Sequence, residues 1–189
     1  THGAPADRNA HPHTDCSGSI AIVHNGIIEN FEELRRGLRA EGHEFKSETD
    51  SEVIAHLFED AWNGPAKGDM VVALRNTIAR LEGSWAIAVT CSDAPDQIAV
   101  TRCGSPLVVA STEEGAYAAS DVIPLASVTD HVMQIEDGDI ALLERDGRVT
   151  VYDAGGNEVT EPKGLDIDWD ASMATLGGHS DFMGKEIAE

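Results

Sequence analysis

An asparagine–glycine pair stands between an apolar run and a helical pattern near the start of this chain, and it restricts how the surrounding residues can fold. Residues 20–23 read Ile-Ala-Ile-Val and predict a short buried strand. Asn30 and Glu33 have the spacing of a capping box, which predicts a helix start. Apolar residues around that start recur with helical spacing, at Ile27, Phe31, Leu34 and Leu38. The segment therefore predicts a strand-to-helix turn centred on Gly26.

A strand-to-helix turn directs backbone N–H groups outward, where they can bind an anion or a developing oxyanion. Asn25 adds a side-chain amide donor beside Gly26. The alternative is a type I′ hairpin, because Asn-Gly is also the strongest short signal for that turn. A hairpin needs a second strand after Gly26, whereas the sequence there has helical periodicity. We therefore favour the anion-binding turn.

The net charge of the chain restricts the classes of partner that it can bind. Its 189 residues include 13 Lys and Arg against 34 Asp and Glu, which gives a net charge of −21. A surface this acidic repels phosphate backbones and anionic lipids, so neither nucleic acid nor a membrane is an expected partner. The sequence also lacks an apolar run long enough to span a bilayer.

The cysteines indicate a reducing, cytoplasmic location. Cys16, Cys91 and Cys103 lack CxxC spacing, and an odd number argues against a disulfide scaffold. The chain opens Thr-His-Gly-Ala-Pro, without the basic start and apolar run of a secretory signal. Cys91 and Cys103 adjoin strand-like runs, so we expect them to be small buried residues rather than nucleophiles.

Helical and strand patterns divide the chain into two parts. A second helix should begin near a possible capping box, Thr49 with Glu52, and end at the Asn-Gly-Pro of residues 63–65. A third helix is expected from about Asp69 to Leu81, and a short strand at residues 44–46. The later segments are short, apolar or alternating, and predict strands at residues 84–90, 97–101, 106–110, 116–119, 132–135, 140–143 and 149–152. This order predicts an α+β fold.

The ends of the chain give weaker signals. Residues 1–18 are polar and rich in His, Pro and Gly, so they predict a loop. The tail from residue 155 is irregular, and residues 182–187 predict the start of a final helix. Asp146-Gly147 predicts a hairpin turn, because strand patterns flank it on both sides.

Three groups of side chains could carry chemistry. His11, His13, Asp15 and Cys16 are metal-ligand types close in sequence, although packing or hydrogen-bonding histidines are the more frequent outcome. Asp50 is either a helix cap or a carboxylate that binds a substrate ammonium group. Thr1 would be a nucleophile only if it were a true N-terminus, with its own α-amine as the base.

A series of short motifs follows in a fixed order along the chain. They are residues 1–3 (Thr-His-Gly), 9–13 (Asn-Ala-His-Pro-His), 24–30 (His-Asn-Gly-Ile-Ile-Glu-Asn), 47–50 (Ser-Glu-Thr-Asp), 81–86 (Leu-Glu-Gly-Ser-Trp-Ala), 104–107 (Gly-Ser-Pro-Leu), 119–121 (Ala-Ser-Asp), 167–170 (Ile-Asp-Trp-Asp) and 182–187 (Phe-Met-Gly-Lys-Glu-Ile). In this combination they resemble the glutaminase domain of class II glutamine amidotransferases, in the branch that aminates a sugar phosphate. The alternative branch transfers the glutamine nitrogen to phosphoribosyl pyrophosphate, and the residues Asp50-Ser51-Glu52 slightly favour that branch.

The resemblance implies a fold and a set of roles. The family fold is a four-layer αββα sandwich of the N-terminal-nucleophile hydrolase type, with two antiparallel sheets. By matching motif, Asn25 and Gly26 form the oxyanion hole and Asp50 binds the α-amino group of L-glutamine. The resemblance also implies that Thr1, His2, His11 and Gly26 line the glutamine pocket. The resemblance implies neither a metal nor another cofactor.

The chain also departs from the family pattern. The family nucleophile is an N-terminal cysteine on a Gly-Ile-Val strand, and neither that strand nor a matching cysteine is present. We therefore expect residues 1–189 to form a single class II amidotransferase domain, incomplete at its N-terminus and without glutaminase activity by itself. Its partners would be the sugar-isomerase domains of the same parent chain, which we expect to be a homodimer. A catalytically dead glutamine-binding module is the non-enzyme alternative.

Overall fold

Two antiparallel β-sheets and three α-helices make up the part of the chain that the structure, a computed structural model, describes: residues 3–64 and 66–167. The strands are β1 (His13–Thr14), β2 (Ile20–Ile28), β3 (Gly83–Cys91), β4 (Gln97–Cys103), β5 (Val108–Thr112), β6 (Gly115–Ala119), β7 (His131–Gln134), β8 (Ile140–Glu144), β9 (Val149–Tyr152) and β10 (Gly164–Asp166). The helices are α1 (Phe31–Glu41), α2 (Glu52–Asn63) and α3 (Met70–Ile78). One sheet has the order β1-β2-β3-β4-β8-β9 and the other β10-β7-β5-β6. The predicted α+β class with two antiparallel sheets is confirmed.

The six-stranded sheet separates two apolar cores, because side chains alternate between the faces of a strand. On β3, Trp85, Ile87 and Val89 pack into the core shared with the helices. Ala86, between them, packs with Val109 of the second sheet. The described residues therefore stack in three layers: helices, six-stranded sheet and four-stranded sheet.

The outer face of the four-stranded sheet carries a smaller core. Val108 and Ala110 of β5 pack there with Leu125, which belongs to a one-turn 3₁₀-helix, Ile123–Leu125. Within the described residues, that turn is the helical element covering this face. The final helix predicted at residues 182–187 lies outside the described residues.

The helices confirm the periodicity but not every predicted cap. The carboxylate of Asp69 accepts a hydrogen bond from Val72 N at 2.9 Å and begins α3, which ends at Ile78 rather than at the predicted Leu81. The capping box predicted at Asn30 does not form. The Asn30 side chain instead joins the carbonyl of Arg80 and the backbone N–H of Glu82, and so ties the start of α1 to the chain before β3.

The strand predicted at residues 44–46 is wrong, because no strand is assigned there. The backbone N–H groups of Lys46 and Ser47 donate to the Glu52 carboxylate, both at 2.7 Å, instead of to a partner strand. The same bonds replace the capping box expected from Thr49 and Glu52. No helix in the described part of the chain is long and apolar enough to cross a membrane.

Candidate active site

Asn25 and Gly26 lie inside β2, opposite Ala86 and Trp85 of β3. Gly26 has a φ of +131°, and a Cβ built there would lie 2.2 Å from the carbonyl oxygen of Ser84. Only glycine fits a backbone that is both at positive φ and this close to its neighbour. The side chain of Asn25 is exposed on the face of β2 opposite the helices.

The predicted strand-to-helix turn centred on Gly26 is therefore wrong in its position. All nine residues of β2 pair with β3, from Ile20 with Cys91 to Ile28 with Gly83. This ladder continues the strand beyond Gly26, and the corner moves to residues 29–30, just before α1. The helical spacing of Ile27 was coincidental, since that side chain lies on the strand and is 48% exposed.

Asp50 is a buried carboxylate two residues before the start of α2. It is 2% exposed, and its Oδ2 accepts a hydrogen bond from Ile28 N at 2.8 Å. Ile28 follows Gly26 by two residues on the same strand, so Asp50 joins the segment before α2 to the end of β2. Burial of a carboxylate is costly unless hydrogen bonds satisfy it, and such buried acids are frequent at functional sites.

Two histidines contact the residues on either side of Asp50. His24 Nδ1 lies 2.9 Å from Ser51 Oγ, and His13 Nε2 lies 3.1 Å from Thr49 Oγ1. The ring of His11 meets that of His13 edge-on, with 5.3 Å between centroids. The structure thus brings His11, predicted for the glutamine pocket, to the segment that carries Asp50.

Burial sets the charge of two of these rings. It lowers the pKa of His13 and His24 below the ordinary value of 6.5, and the nearby His11 lowers both further. The negative charge of Asp50 acts in the opposite direction on both but does not outweigh burial. Both imidazoles are therefore neutral at neutral pH, each able to donate or accept a hydrogen bond.

Glu52 orders the segment that carries Asp50, a role that the sequence analysis missed. Its carboxylate accepts from the backbone of Lys46 and Ser47 and from Ser47 Oγ at 2.6 Å. Burial raises its pKa, but the neighbouring His56 ring and the hydrogen bonds from Lys46 and Ser47 outweigh burial and lower the pKa to about 2. The carboxylate stays ionised and fixes the loop that precedes α2.

Two predicted pocket residues, Thr1 and His2, lie outside the described residues. The nucleophile role considered for Thr1 therefore stays a hypothesis.

The contacts of the Cys16 thiol are with histidines other than those considered with it in the sequence. Cys16 Sγ lies 3.5 Å from His43 Nδ1 and 3.6 Å from His56 Nδ1. Asp15 instead accepts hydrogen bonds from its own turn, including one from Ile20 N at 2.8 Å. Among the residues described, neither His11 nor His13 belongs to a group of converging His, Cys, Asp and Glu ligand atoms. The structure thus does not bring these metal-ligand types together, and His13 has the hydrogen-bonding role that the sequence analysis named as the more frequent outcome.

The cysteines do not have the surroundings of activated nucleophiles. Burial raises the pKa of the Cys16 and Cys91 thiols, and the Glu59 carboxylate raises that of Cys16 further. Cys91 is buried in the core beneath the helices, and Cys103 is half-buried against the same core, as expected.

Solved structures of glutamine amidotransferases share this fold. The B. subtilis structure of glutamine phosphoribosylpyrophosphate amidotransferase, complexed with ADP and GMP, superposes with a TM-score of 0.57 at 20% identity, over 89% of this chain and 34% of that one. A class-II glutamine aminotransferase domain protein from Silicibacter pomeroyi gives 0.56 at 19% identity, over 76% of this chain and 70% of that one. The fold is therefore that of the N-terminal-nucleophile type of glutamine amidotransferase. Residues 4–127 match the family described as "Glutamine amidotransferase domain", and the chain belongs to that family.

Curated relatives are similar along the whole chain. Proteins named glutamine–fructose-6-phosphate aminotransferase (isomerizing) from Symbiobacterium thermophilum and Thermotoga maritima are 47% and 45% identical over 189 residues. Those residues are 100% of this chain and 30% of each relative. The chain thus spans about a third of the length of the curated relatives it matches.

Proposed function

We propose that this chain is the glutamine-hydrolysing domain of a longer aminotransferase, in which ammonia from glutamine is used to convert fructose 6-phosphate to glucosamine 6-phosphate. The names of the relatives that match this chain along its whole length support glutamine and fructose 6-phosphate as the substrates. Partners would be L-glutamine and sugar-isomerase domains of the same parent chain, which we propose to be a cytoplasmic homodimer. The likeness to a phosphoribosylpyrophosphate amidotransferase rests on 20% identity and supports the fold alone.

Asp50 is the residue on which the proposal rests most directly. Its buried carboxylate is held by Ile28 N, two residues beyond Gly26. We assign it to the α-ammonium group of glutamine, since a buried anion with fixed geometry binds a cation strongly and directionally. His11 lies close to the same segment and is proposed to line the pocket, together with Thr1, His2 and Gly26.

Asn25 and Gly26 are proposed as the oxyanion hole. When a thiolate attacks the side-chain amide carbon of glutamine, the carbonyl oxygen becomes negative, and donors fixed beside it lower the barrier. The side-chain amide of Asn25 and the backbone N–H of Gly26 supply two such donors. Collapse of the tetrahedral intermediate releases ammonia, and water then hydrolyses the thioester to glutamate.

We propose that the thiol for this step is none of the three cysteines in the chain. Cys103 packs against the core on the helix side of the six-stranded sheet, whereas the Asn25 side chain is exposed on the other face. Cys91 pairs with Ile20, at the opposite end of β2 from Gly26 and six residues away, or roughly 20 Å along a strand. Cys16 contacts His43 and His56 rather than residues of the proposed site. We therefore propose that these 189 residues alone do not hydrolyse glutamine.

The test compares variants in the full-length gene product by following ammonia release from glutamine. Asn25→Ala should lower kcat by about 10²–10³-fold with little change in KM, because the oxyanion forms only in the reaction. Asp50→Asn should raise KM for glutamine by about 10–100-fold, the equivalent of a lost charge-assisted interaction. Asp96→Asn, on an exposed carboxylate paired with Arg145, is the matched control and should leave both constants unchanged.

Three outcomes would contradict the proposal. An Asn25→Ala enzyme with unchanged kcat would remove the oxyanion role. Glutamine hydrolysis by the 189-residue chain that is lost in Cys16→Ser or Thr1→Ala would place the nucleophile inside it. Glutamine binding without hydrolysis by the full-length product would instead identify a dead binding module.

A further inference from the structure

A cysteine, two histidines and a glutamate converge at the end of the helix layer, in a cluster that the proposed glutamine chemistry does not use. The ligand atoms of Cys16, His43, His56 and Glu59 all lie within 4.8 Å of one another. Three separate parts of the chain contribute them: the β1–β2 connection, the segment after α1, and α2. His56 and Glu59 are three residues apart on α2, so they project from the same side of the helix.

The spacing of these atoms is that of a tetrahedral metal site. Zinc bonds of ≈ 2.3 Å to sulfur and ≈ 2.0–2.1 Å to nitrogen or oxygen place tetrahedral ligand atoms about 3.3–3.6 Å apart. Cys16 Sγ is 3.5 Å from His43 Nδ1 and 3.6 Å from His56 Nδ1. Glu59 Oε2 is 3.2 Å and 3.4 Å from the same two nitrogens.

Hydrogen bonds account for part of this arrangement, since Glu59 Oε2 accepts from the backbone N–H of Cys16 and lies 3.4 Å from His56 Nδ1. The contact between His43 and Glu59 remains unfavourable. His43 Nε2 lies 2.9 Å from Asp60 Oδ1, which is the geometry of a donated N–H. With its proton there, Nδ1 presents a lone pair towards the carboxylate of Glu59, so two acceptors face each other. One added proton would relieve a single contact, whereas one cation bound at the centre is attracted by all four atoms.

The outer contacts also fit a metal-bound pair of imidazoles. Ligating histidines usually donate their second N–H to a carboxylate, which fixes the ring and its tautomer. Asp60 takes this place for His43. Nε2 of the fully buried His56 has no hydrogen-bond partner among the described residues, and the nearest carboxylate oxygen of Glu52 is 3.8 Å away.

We propose that Cys16, His43, His56 and Glu59 bind one structural zinc ion. A thiolate with two imidazoles favours zinc over magnesium or calcium, which prefer oxygen ligands. Four protein ligands close the coordination shell, as in structural rather than catalytic zinc sites. The ion would link the β1–β2 connection and the end of α1 to α2.

Metal content tests the proposal on the 189-residue chain. The protein is saturated with zinc, dialysed and analysed by mass spectrometry, and its affinity is measured by competition with a chromogenic chelator. Wild type should retain about one zinc ion per chain, and Cys16→Ser should lose retention. Cys16 is exposed, so this variant should fold, which circular dichroism verifies. Asp60→Asn should weaken affinity by about 10–100-fold through the outer contact. Cys103→Ser and His131→Gln, outside the cluster, should bind as wild type.

Cobalt substitution supplies a second readout. Bound Co²⁺ should show the intense visible absorption of a tetrahedral ion and a thiolate charge-transfer band, and the band should disappear in Cys16→Ser. Folded wild type that retains no more zinc than Cys16→Ser would overturn the proposal. Retention by Cys16→Ser that is lost in Asp60→Asn would also overturn it, because the ion would then lie among Glu41, His43 and Asp60.

Discussion

Replacing Gly26 with alanine tests whether β2 and β3 approach as closely as the candidate site requires. Gly26 combines a φ of +131° with a neighbouring carbonyl at 2.2 Å from any added Cβ. The substitution adds one methyl group and no charge. Its effect on stability therefore reports the backbone geometry at this position, separately from any role in binding glutamine.

The expected cost has two parts. A non-glycine residue in a sparsely populated backbone region costs roughly 1–3 kcal/mol. The new Cβ must also push β3 away by about 1 Å to reach an ordinary contact with Ser84, and each ladder hydrogen bond that this breaks contributes about 1 kcal/mol. With two such bonds lost, Gly26→Ala should lower the free energy of unfolding by roughly 3–5 kcal/mol, a large part of the 5–15 kcal/mol typical of a domain.

Two other glycines separate these contributions. Gly18 has a φ of +77° with nothing within 4 Å of an added Cβ, so Gly18→Ala should cost only the backbone term, roughly 1–2 kcal/mol. Gly37, inside α1, has neither a positive φ nor a neighbour within 4 Å. Gly37→Ala should stabilise the protein by roughly 0.5–1 kcal/mol.

The assay monitors urea unfolding of the 189-residue chain by circular dichroism. The slope of the unfolding free energy against urea concentration is compared among the variants. Failure of Gly26→Ala to fold, while both other variants fold, would agree with the upper end of the expected cost. A destabilisation no larger than that of Gly18→Ala would refute the reasoning, because it would show that β3 does not crowd Gly26.

Two further predictions concern the buried polar groups around Asp50. Glu52→Gln should destabilise the chain by roughly 2–4 kcal/mol in the same urea assay, because a neutral amide replaces an ion that accepts hydrogen bonds from several N–H and O–H groups. The exposed control, Glu48→Gln, should change stability little. Equal effects of the two substitutions would contradict the role of Glu52 in ordering the loop before α2. Stability should also fall as the pH drops below about 6.5, since His24 and His13 have lowered pKa values when folded and the unfolded chain therefore binds more protons. The slope approaches about 1.4 kcal/mol per pH unit for each histidine below its ordinary pKa and above its folded one. His24→Gln should flatten it, whereas a profile identical to wild type would show that His24 is not buried in its neutral form.

Much of the fold could be predicted because its signals are local. The seven strands expected after residue 84 correspond to β3–β9, since each alternates or is continuously apolar and is bounded by Gly or Asp. Asp146-Gly147 does join β8 to β9, as predicted. The length of β2 could not be predicted in the same way. Its last residues pair with β3, more than fifty residues later in the chain, and local periodicity carries no information about that partner.

The candidate site was predictable only in part for a similar reason. The sequence singled out Asp50 but left open whether it caps α2, and the bond to Ile28 N depends on how α2 packs against β2. The metal-ligand types near Cys16 were sought among its neighbours in sequence, whereas its actual contacts come from His43 and His56, 27 and 40 residues away. One usable signal was overlooked: the helical spacing of His56 and Glu59 places two ligand types on one side of α2.

The acidic and imidazole groups around the first turn of α2 are buried at a cost in stability. Burying Asp50, Glu52 and two neutral histidines opposes folding, and an apolar core of similar volume would serve stability as well or better. Each of these groups is nevertheless held by a specific partner: Asp50 by Ile28 N, and Glu52 by the loop before α2. Their hydrogen bonds fix the direction in which these buried groups point, and they lie near Gly26, where the close approach of β3 requires glycine. This arrangement is expected where ligand binding, rather than stability, constrains the sequence.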